Sequence, residues 1–232
     1  MKLSVVIPVY NEAKTIARIA DAVQTVEIDM EKELIFVDDC STDGSRDILE
    51  ALQRKNPGWK FVFHPANFGK GAALRSAFKE VSGDIVLVQD ADLEYDPRDY
   101  PALLAPILEG RADAVFGTRF IGNGPHRVLF FWHSVGNKLL TLLSNMMTNL
   151  NLSDMEVGYK VFKKDVLSAI SLREARFGVE VEITAKIARN KKWKIYEVPV
   201  SYYGRDYAEG KKITWRDGFR ALWCILKYRF VS

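Results

Sequence analysis

The stretch Leu34-Ile35-Phe36-Val37-Asp38-Asp39-Cys40-Ser41-Thr42-Asp43-Gly44-Ser45, followed by Ile48, Leu49 and Leu52, contains one complete unit of the fold. Four apolar residues ahead of a carboxylate pair suit a buried strand. Ser41, Thr42 and Asp43 are residue types that cap a helix start, and the apolar stripe after them has helical spacing. The unit repeats outward. Residues 3–9 predict a strand, and Ile16, Ile19, Val23 and Val26 a helix behind it. Strands are also predicted at 61–63, 85–88 and 114–116, with a helical stripe of Ala73, Leu74, Ala77, Phe78 and Val81 among them. This alternation implies the α/β class: a mainly parallel sheet flanked by helices, with ligands beyond the carboxyl ends of the strands.

After residue 120 the pattern changes to a turn at 122–125, a long apolar segment, a helix near 179–190, a strand at 195–198 and an amphipathic helix over 214–230. At 232 residues the chain is expected to form one domain, 1–232, with halves 1–120 and 121–232. The total of 33 Lys+Arg against 30 Asp+Glu hides an asymmetry. The first half carries 14 basic and 20 acidic side chains and the second 19 and 10, a bias that points to an anionic partner. Apolar content of 48% and charge of 27% exclude a disordered chain. Two cysteines are too few for a disulfide framework, and Met1 to Val9 reads as strand rather than signal peptide, so a cytoplasmic protein is expected. No apolar run approaches the ~18 residues of a membrane span.

The residues following the strands carry the chemistry. Asp38 and Asp39 end an apolar strand, where a carboxylate can accept from a base N–H or a ribose hydroxyl, and Tyr10 after the first strand offers an aromatic face. Asn67-Phe68-Gly69-Lys70-Gly71 has two readings, a phosphate-holding loop or a structural helix start. No full phosphate-loop spacing and no Gly-x-Gly-x-x-Gly follows the first strand, which removes support for ATP hydrolysis and nicotinamide chemistry. After residues 85–88 come Asp90, Asp92 and Glu94, whose alternate carboxylates project to one side and suit a divalent cation.

Together, Val5 to Glu12, Val37 to Gly44, Asn67 to Gly71 and Asp90-Ala91-Asp92 resemble family 2 glycosyltransferases of the GT-A fold, a Rossmann-like architecture. The continuation through Gly117-Thr118-Arg119-Phe120, residues 154–162, Gly204-Arg205-Asp206-Tyr207 and Gly210-Lys211-Lys212-Ile213 is similar to the polyprenyl-phosphate sugar synthases, the dolichyl-phosphate mannose and glucose synthases among them. The resemblance implies a nucleotide-sugar site of Pro8, Tyr10, Glu12, Val37, Asp39, Asp90, Ala91, Asp92, Arg119, Arg205 and Lys211. It implies Asp92, Arg119 and Arg205 as the catalytic set, and Asp90, Asp92 and Glu94 as holders of Mg²⁺ or Mn²⁺. Arg127 and His133 both stand where the acceptor phosphate would be met, with Arg127 preferred.

The implied reaction moves mannose or glucose from a GDP- or UDP-sugar to a polyprenyl phosphate. A leaving diphosphate calls for a metal plus basic groups, here Arg205, Lys211 and Lys212. A lipid monophosphate with a second pKa near ~6 is already ionised at pH 7 and needs no strong base, so direct displacement with inversion is expected. Residues 126–150 hold Phe130, Phe131 and Trp132 beside Arg127 and Lys138. The last helix interleaves Trp215, Trp223, Tyr228 and Phe230 with Arg216, Arg220, Lys227 and Arg229. Both are read as interfacial helices giving a peripheral contact on the cytoplasmic face of a membrane, against the simpler reading of a buried apolar stripe. A soluble glycan or protein acceptor is the alternative. A nucleic-acid partner is not expected, since without a metal the acidic cluster repels phosphates and no recognition motif occurs.

Overall fold

The computed structural model describes residues 1–122, 128, 130–205 and 215–231, with only the backbone at Trp215 and Arg216. The repeated strand-helix unit runs as β1 (Lys2–Val9), α1 (Ile16–Thr25), β2 (Glu31–Asp38), α2 (Ser45–Lys55), β3 (Lys60–Phe63), α3 (Lys70–Glu80) and β4 (Ile85–Val88). A 3₁₀ turn, Pro97–Asp99, leads into α4 (Tyr100–Leu108) and β5 (Ala114–Thr118). Then follow α5 (Phe131–Thr148), β6 (Lys160–Lys163), α6 (Lys164–Ser168), α7 (Gly178–Arg189), β7 (Ile195–Pro199) and α8 (Trp215–Phe230). All six predicted strands are present.

Among the described residues the strands form one seven-stranded sheet in the order β3-β2-β1-β4-β6-β5-β7. It is parallel except for β6, which runs antiparallel to both β4 and β5. β6 is the strand the sequence pattern does not predict, because lysines flank its two apolar residues. It enters from the second half of the chain between two strands of the first, so the halves share one sheet. Leu3, Val5, Val6 and Ile7 of β1 and Ile85, Val86 and Leu87 of β4 are fully buried, as strands covered on both faces require. Each such side chain contributes about 1.5–3 kcal/mol through burial.

Asn11, Cys40 and Leu93, in the loops following β1, β2 and β4, have positive φ of 51°, 61° and 62°. Such backbone costs about 1–3 kcal/mol per residue outside glycine and concentrates at functional sites. Here it bends the chain sharply where the strands end, beside Tyr10, Asp39 and Asp92. A second, smaller core joins α5, α7 and α8: Met155, Val181, Ala185, Ala221, Cys224, Ile225 and Tyr228 are buried, with Leu140, Leu143 and Met147 packed against them.

Candidate functional site

A cavity of about 310 Å³ opens at the carboxyl edge of the sheet. Pro8, Tyr10, Glu12, Asp39, Asp90, Ala91, Asp92, Glu94, Arg119 and Arg205 line it, so ten of the sequence-derived site residues meet on one surface. His133 lines it as well. Val37 is buried in β2 rather than on the wall. Lys211 and Arg127 lie outside the described residues.

Asp39 is buried and ties down the loop after β3. It accepts from the backbone N–H of Phe68 at 2.9 Å and of Gly69 at 2.6 Å, and pairs with His64 Nδ1 at 2.8 Å. A carboxylate only accepts, so Nδ1 carries a proton, and Nε2 lies 2.8 Å from the Ser76 hydroxyl oxygen. Nothing in the local sequence marks His64 as this partner.

The glycines of the Asn67–Gly71 segment have a packing reason. A Cβ on Gly69 would lie 2.5 Å from the Ala175 carbonyl, and one on Gly71 2.2 Å from the Glu174 carbonyl. Of the two readings, the structural helix start accounts for both. Lys70 is drawn inward, 2.7 Å from Asp90 and 3.0 Å from Glu180. Glu180 also pairs with the buried Lys160, completing a row of alternating charges beneath the cavity.

Asp90, Asp92 and Glu94 divide their partners. Asp90 holds Lys70, Asp92 lies 3.3 Å from Arg205 Nη2, and Glu94 accepts from the Arg205 backbone N–H at 2.6 Å and the Tyr202 hydroxyl at 3.0 Å. Arg205 also makes a two-pronged bond to Glu12, at 2.8 and 3.1 Å. Among the described residues no three ligand side chains already converge in a metal cage. The electrostatics nonetheless fit a cation. Burial, then repulsion from Asp90 and Glu94, pushes the Asp92 carboxyl up to about 7 despite Arg205, so a lone negative charge is disfavoured there. Asp92 and Asp90 are the donors that would hold a divalent ion, whereas the Glu94 carboxylate is committed to Tyr202 and Arg205.

Arg119, at the end of β5, forks onto the fully buried Asp154 at 2.6 and 2.8 Å and lies 5.1 Å over the Tyr202 ring. Two residues on, Glu156 lines the cavity, and its Oε1 has no hydrogen-bond partner among the described residues. Burial, then the nearby Glu180 charge, pushes its carboxyl up to about 7. Between the ordinary 4.5 and this value the folded protein holds a proton that the unfolded chain has released, so stability falls as pH rises through that window. Glu156→Gln is therefore expected to match the parent near pH 4 and exceed it by up to about 3 kcal/mol at pH 8. Urea unfolding at the two pH values checks this; a gain confined to acid pH contradicts it.

This is an α/β protein with a carboxylate-rich cleft at the carboxyl edge of its sheet, the place where such folds bind nucleotides. Residues 4–171 match the family described as Glycosyl transferase family 2, and the chain belongs to that family. It is 30% identical over 227 residues to an undecaprenyl-phosphate mannosyltransferase of Micrococcus luteus, covering 91% of this chain and 87% of that protein. It is 28% identical over 213 residues to a dolichol-phosphate mannosyltransferase of Pyrococcus furiosus, covering 91% of this chain and 59% of that longer protein. The fold is similar to that of glucosyl-3-phosphoglycerate synthase from Mycobacterium tuberculosis, crystallised with Mn²⁺, UDP and phosphoglyceric acid. The TM-score is 0.75 and the identity 22%, covering all of this chain and 79% of that one. A further crystal structure of that synthase, with Mg²⁺ and UDP, gives a TM-score of 0.72 at 22% identity, covering all of this chain and 80% of that one. The chain is a glycosyltransferase of the GT-A type.

Proposed function

We propose that this glycosyltransferase moves a hexose from a UDP- or GDP-sugar to a polyprenyl phosphate at a membrane surface, with inversion at the sugar carbon. The observation that carries the acceptor half of this reading is the outer face of α5 and α8. The side chains of Phe131 and Trp132 are 69% and 80% exposed, and Leu139, Leu142 and Met146 continue the same stripe. On α8, Phe219, Trp223, Leu226 and Phe230 are exposed at helical spacing while Ala221, Cys224, Ile225 and Tyr228 face the core. The apolar content of these segments is thus not explained by burial, and Lys138, Arg220 and Arg229 are exposed among it. An aromatic face rimmed by basic groups suits an anionic leaflet. Among the described residues no helix is long and apolar enough to cross a membrane. The curated relatives, both named as lipid-phosphate mannosyltransferases, support the same acceptor class.

In this reading Tyr10 and Asp39 border the nucleoside. Asp90 and Asp92 would hold Mg²⁺ or Mn²⁺, which when bound would supply Lewis-acid neutralisation of the leaving diphosphate. Arg205 donates to the diphosphate oxygens; Lys211, which the resemblance assigns to the same group, lies outside the described residues. Arg119, held in orientation by Asp154, is assigned to the acceptor phosphate; Arg127, the residue the resemblance prefers there, lies outside the described residues. The phosphate is ionised at neutral pH, so no side chain has to remove a proton from it.

The decisive test is a thermal-shift panel of UDP, GDP and their hexose conjugates with and without Mg²⁺ or Mn²⁺, followed by transfer to undecaprenyl phosphate. One base is expected to raise the melting temperature in the presence of metal; at a hundred times Kd the gain is about 2.7 kcal/mol. Transfer to a water-soluble glycan but not to the lipid phosphate would favour the alternative acceptor. Flotation with anionic liposomes at low salt checks the membrane contact. Co-flotation is expected, with loss when Trp132 and Trp223 are both replaced by Ser; protein remaining at the bottom of the gradient would end the proposal.

A further inference from the structure

The carboxylates around the cavity are accounted for, with one exception. Glu12 holds Arg205, Asp39 holds His64 and two backbone N–H groups, and Asp90 holds Lys70. Asp92 and Glu94 share Arg205, and Glu180 lies between Lys70 and Lys160. Among the described residues, Glu156 Oε1 and Glu180 Oε1 are both buried carboxyl oxygens of the lining without a hydrogen-bond partner, but Glu180 Oε1 has the Lys70 ammonium at 3.0 Å, whereas Glu156 Oε1 has no such ion pair. A buried acceptor left unmade costs roughly 1–3 kcal/mol, so such a group in a binding cleft calls for a ligand donor.

The sheet order indicates which part of the donor this is. Along the carboxyl edge the strands run β2, β1, β4, β6, β5. The loops after β2 and β1 carry Asp39 and Tyr10, and the loop after β4 carries Asp90 and Asp92. Because β6 is antiparallel to β4, the residues that enter it lie at this same edge. Glu156 is four residues ahead of Lys160, the first residue of β6. The segment packs against the proposed diphosphate site: a Cβ on Gly158 would lie 2.2 Å from Asp90 Oδ2. Beyond it, after β5, stands Arg119. Neighbouring strands are about 4.8 Å apart, so β2 to β6 spans three spacings, roughly 14 Å. That suits an extended nucleoside diphosphate with its next group over β6. A carboxyl there repels phosphate and accepts readily from hydroxyls.

We infer that Glu156 is a specificity-determining residue whose carboxyl accepts a hydrogen bond from a hydroxyl of the transferred hexose, between the diphosphate site at Asp90 and Asp92 and the acceptor side at Arg119. The inference rests on the proposed donor reading and deepens it by assigning the hexose subsite. Lys70, Glu180 and Lys160 then act as the fixed floor that holds Asp90 and leaves Glu156 free for sugar.

The test compares the parent chain with Glu156→Ala and Glu156→Gln, with Mn²⁺ present. Calorimetry reads the Kd of free UDP and GDP. Transfer rates read the preference within epimer pairs: UDP-glucose against UDP-galactose, and GDP-mannose against GDP-glucose. The Kd of the free diphosphate is expected to stay within about twofold. For the preferred sugar, kcat/KM is expected to fall about 10- to 100-fold in the alanine variant, as for loss of a hydrogen bond to a charged group, and less in the glutamine variant. The epimer preference should shrink in step. Unchanged kcat/KM and epimer preference would overturn the inference, and a parallel loss of Mn²⁺ or free-diphosphate affinity would assign Glu156 to metal binding instead. If neither UDP nor GDP bound the parent protein, the donor reading would fail and the hexose subsite with it. Should the alanine variant not fold, the near-isosteric glutamine variant carries the same comparison.

Discussion

Asp92→Ala is expected to lower transfer by about 10³-fold or more while leaving the melting temperature of the metal-free protein unchanged or raised. The two halves of this expectation come from one feature. Asp92 stands between Asp90 and Glu94, and burial together with their repulsion already holds its carboxyl at about 7, so the folded state gains little from its charge. Its removal relieves that repulsion and leaves Arg205 still paired with Glu12. The same surplus charge is what a divalent cation would neutralise, and loss of a group that stabilises developing charge in a dry site costs several kcal/mol of the barrier. Steady-state transfer and a thermal melt suffice. Undiminished activity would remove Asp92 from the metal site, and a large fall in melting temperature would make its role structural.

Asp154→Ala is expected to destabilise the fold by about 3–5 kcal/mol, measured by urea unfolding. Asp154 is fully buried, and the Arg119 side chain it forks onto is 10% exposed. Removing one member strands an uncompensated guanidinium in a low-dielectric site. The paired change Arg119→Met with Asp154→Leu should recover most of that stability, since apolar groups can replace a buried ion pair at little net cost. Under the proposed function it should not recover transfer, because the guanidinium assigned to the acceptor phosphate is gone. A paired variant as unstable as the single one would show that the pair, rather than its breakage, carries the energy.

Much of the architecture could be read along the chain because its signals are local. β1, β2, β4 and β5 are apolar runs bounded by polar residues, and the amphipathic stripes of α1 and α3 fall at the predicted positions. The carboxylates at Asp39, Asp90 and Asp92 stand out because acidic residues following buried strands have no packing reason. β6 is the counter-example. Lys160 reads as polar, yet it is buried because Glu180, twenty residues on, and the Met155 and Val157 carbonyls receive its ammonium. The glycines at 69 and 71 were similarly ambiguous, since their close neighbours belong to residues 174 and 175, about a hundred positions away. In α5 and α8 the apolar stripes were plain, but whether they faced core or solvent was not. Only the packing of α7 against both assigns one face of each to the small core and leaves the other exposed.

The sequence by itself determined the class of fold, the edge at which the candidate site lies, the acidic signature of that candidate site and the basic character of the second half. Hydrophobic period and the residues after each strand are short-range properties, written within a few positions of one another. Tertiary structure decided which charges are partnered: Lys70 with Asp90 and Glu180, Arg119 with Asp154, and Arg205 with Glu12, while Glu156 Oε1 has no hydrogen-bond partner among the described residues. Those pairings join positions from 20 to 193 apart. Their energies depend on burial and distance, quantities a linear chain does not contain until it folds.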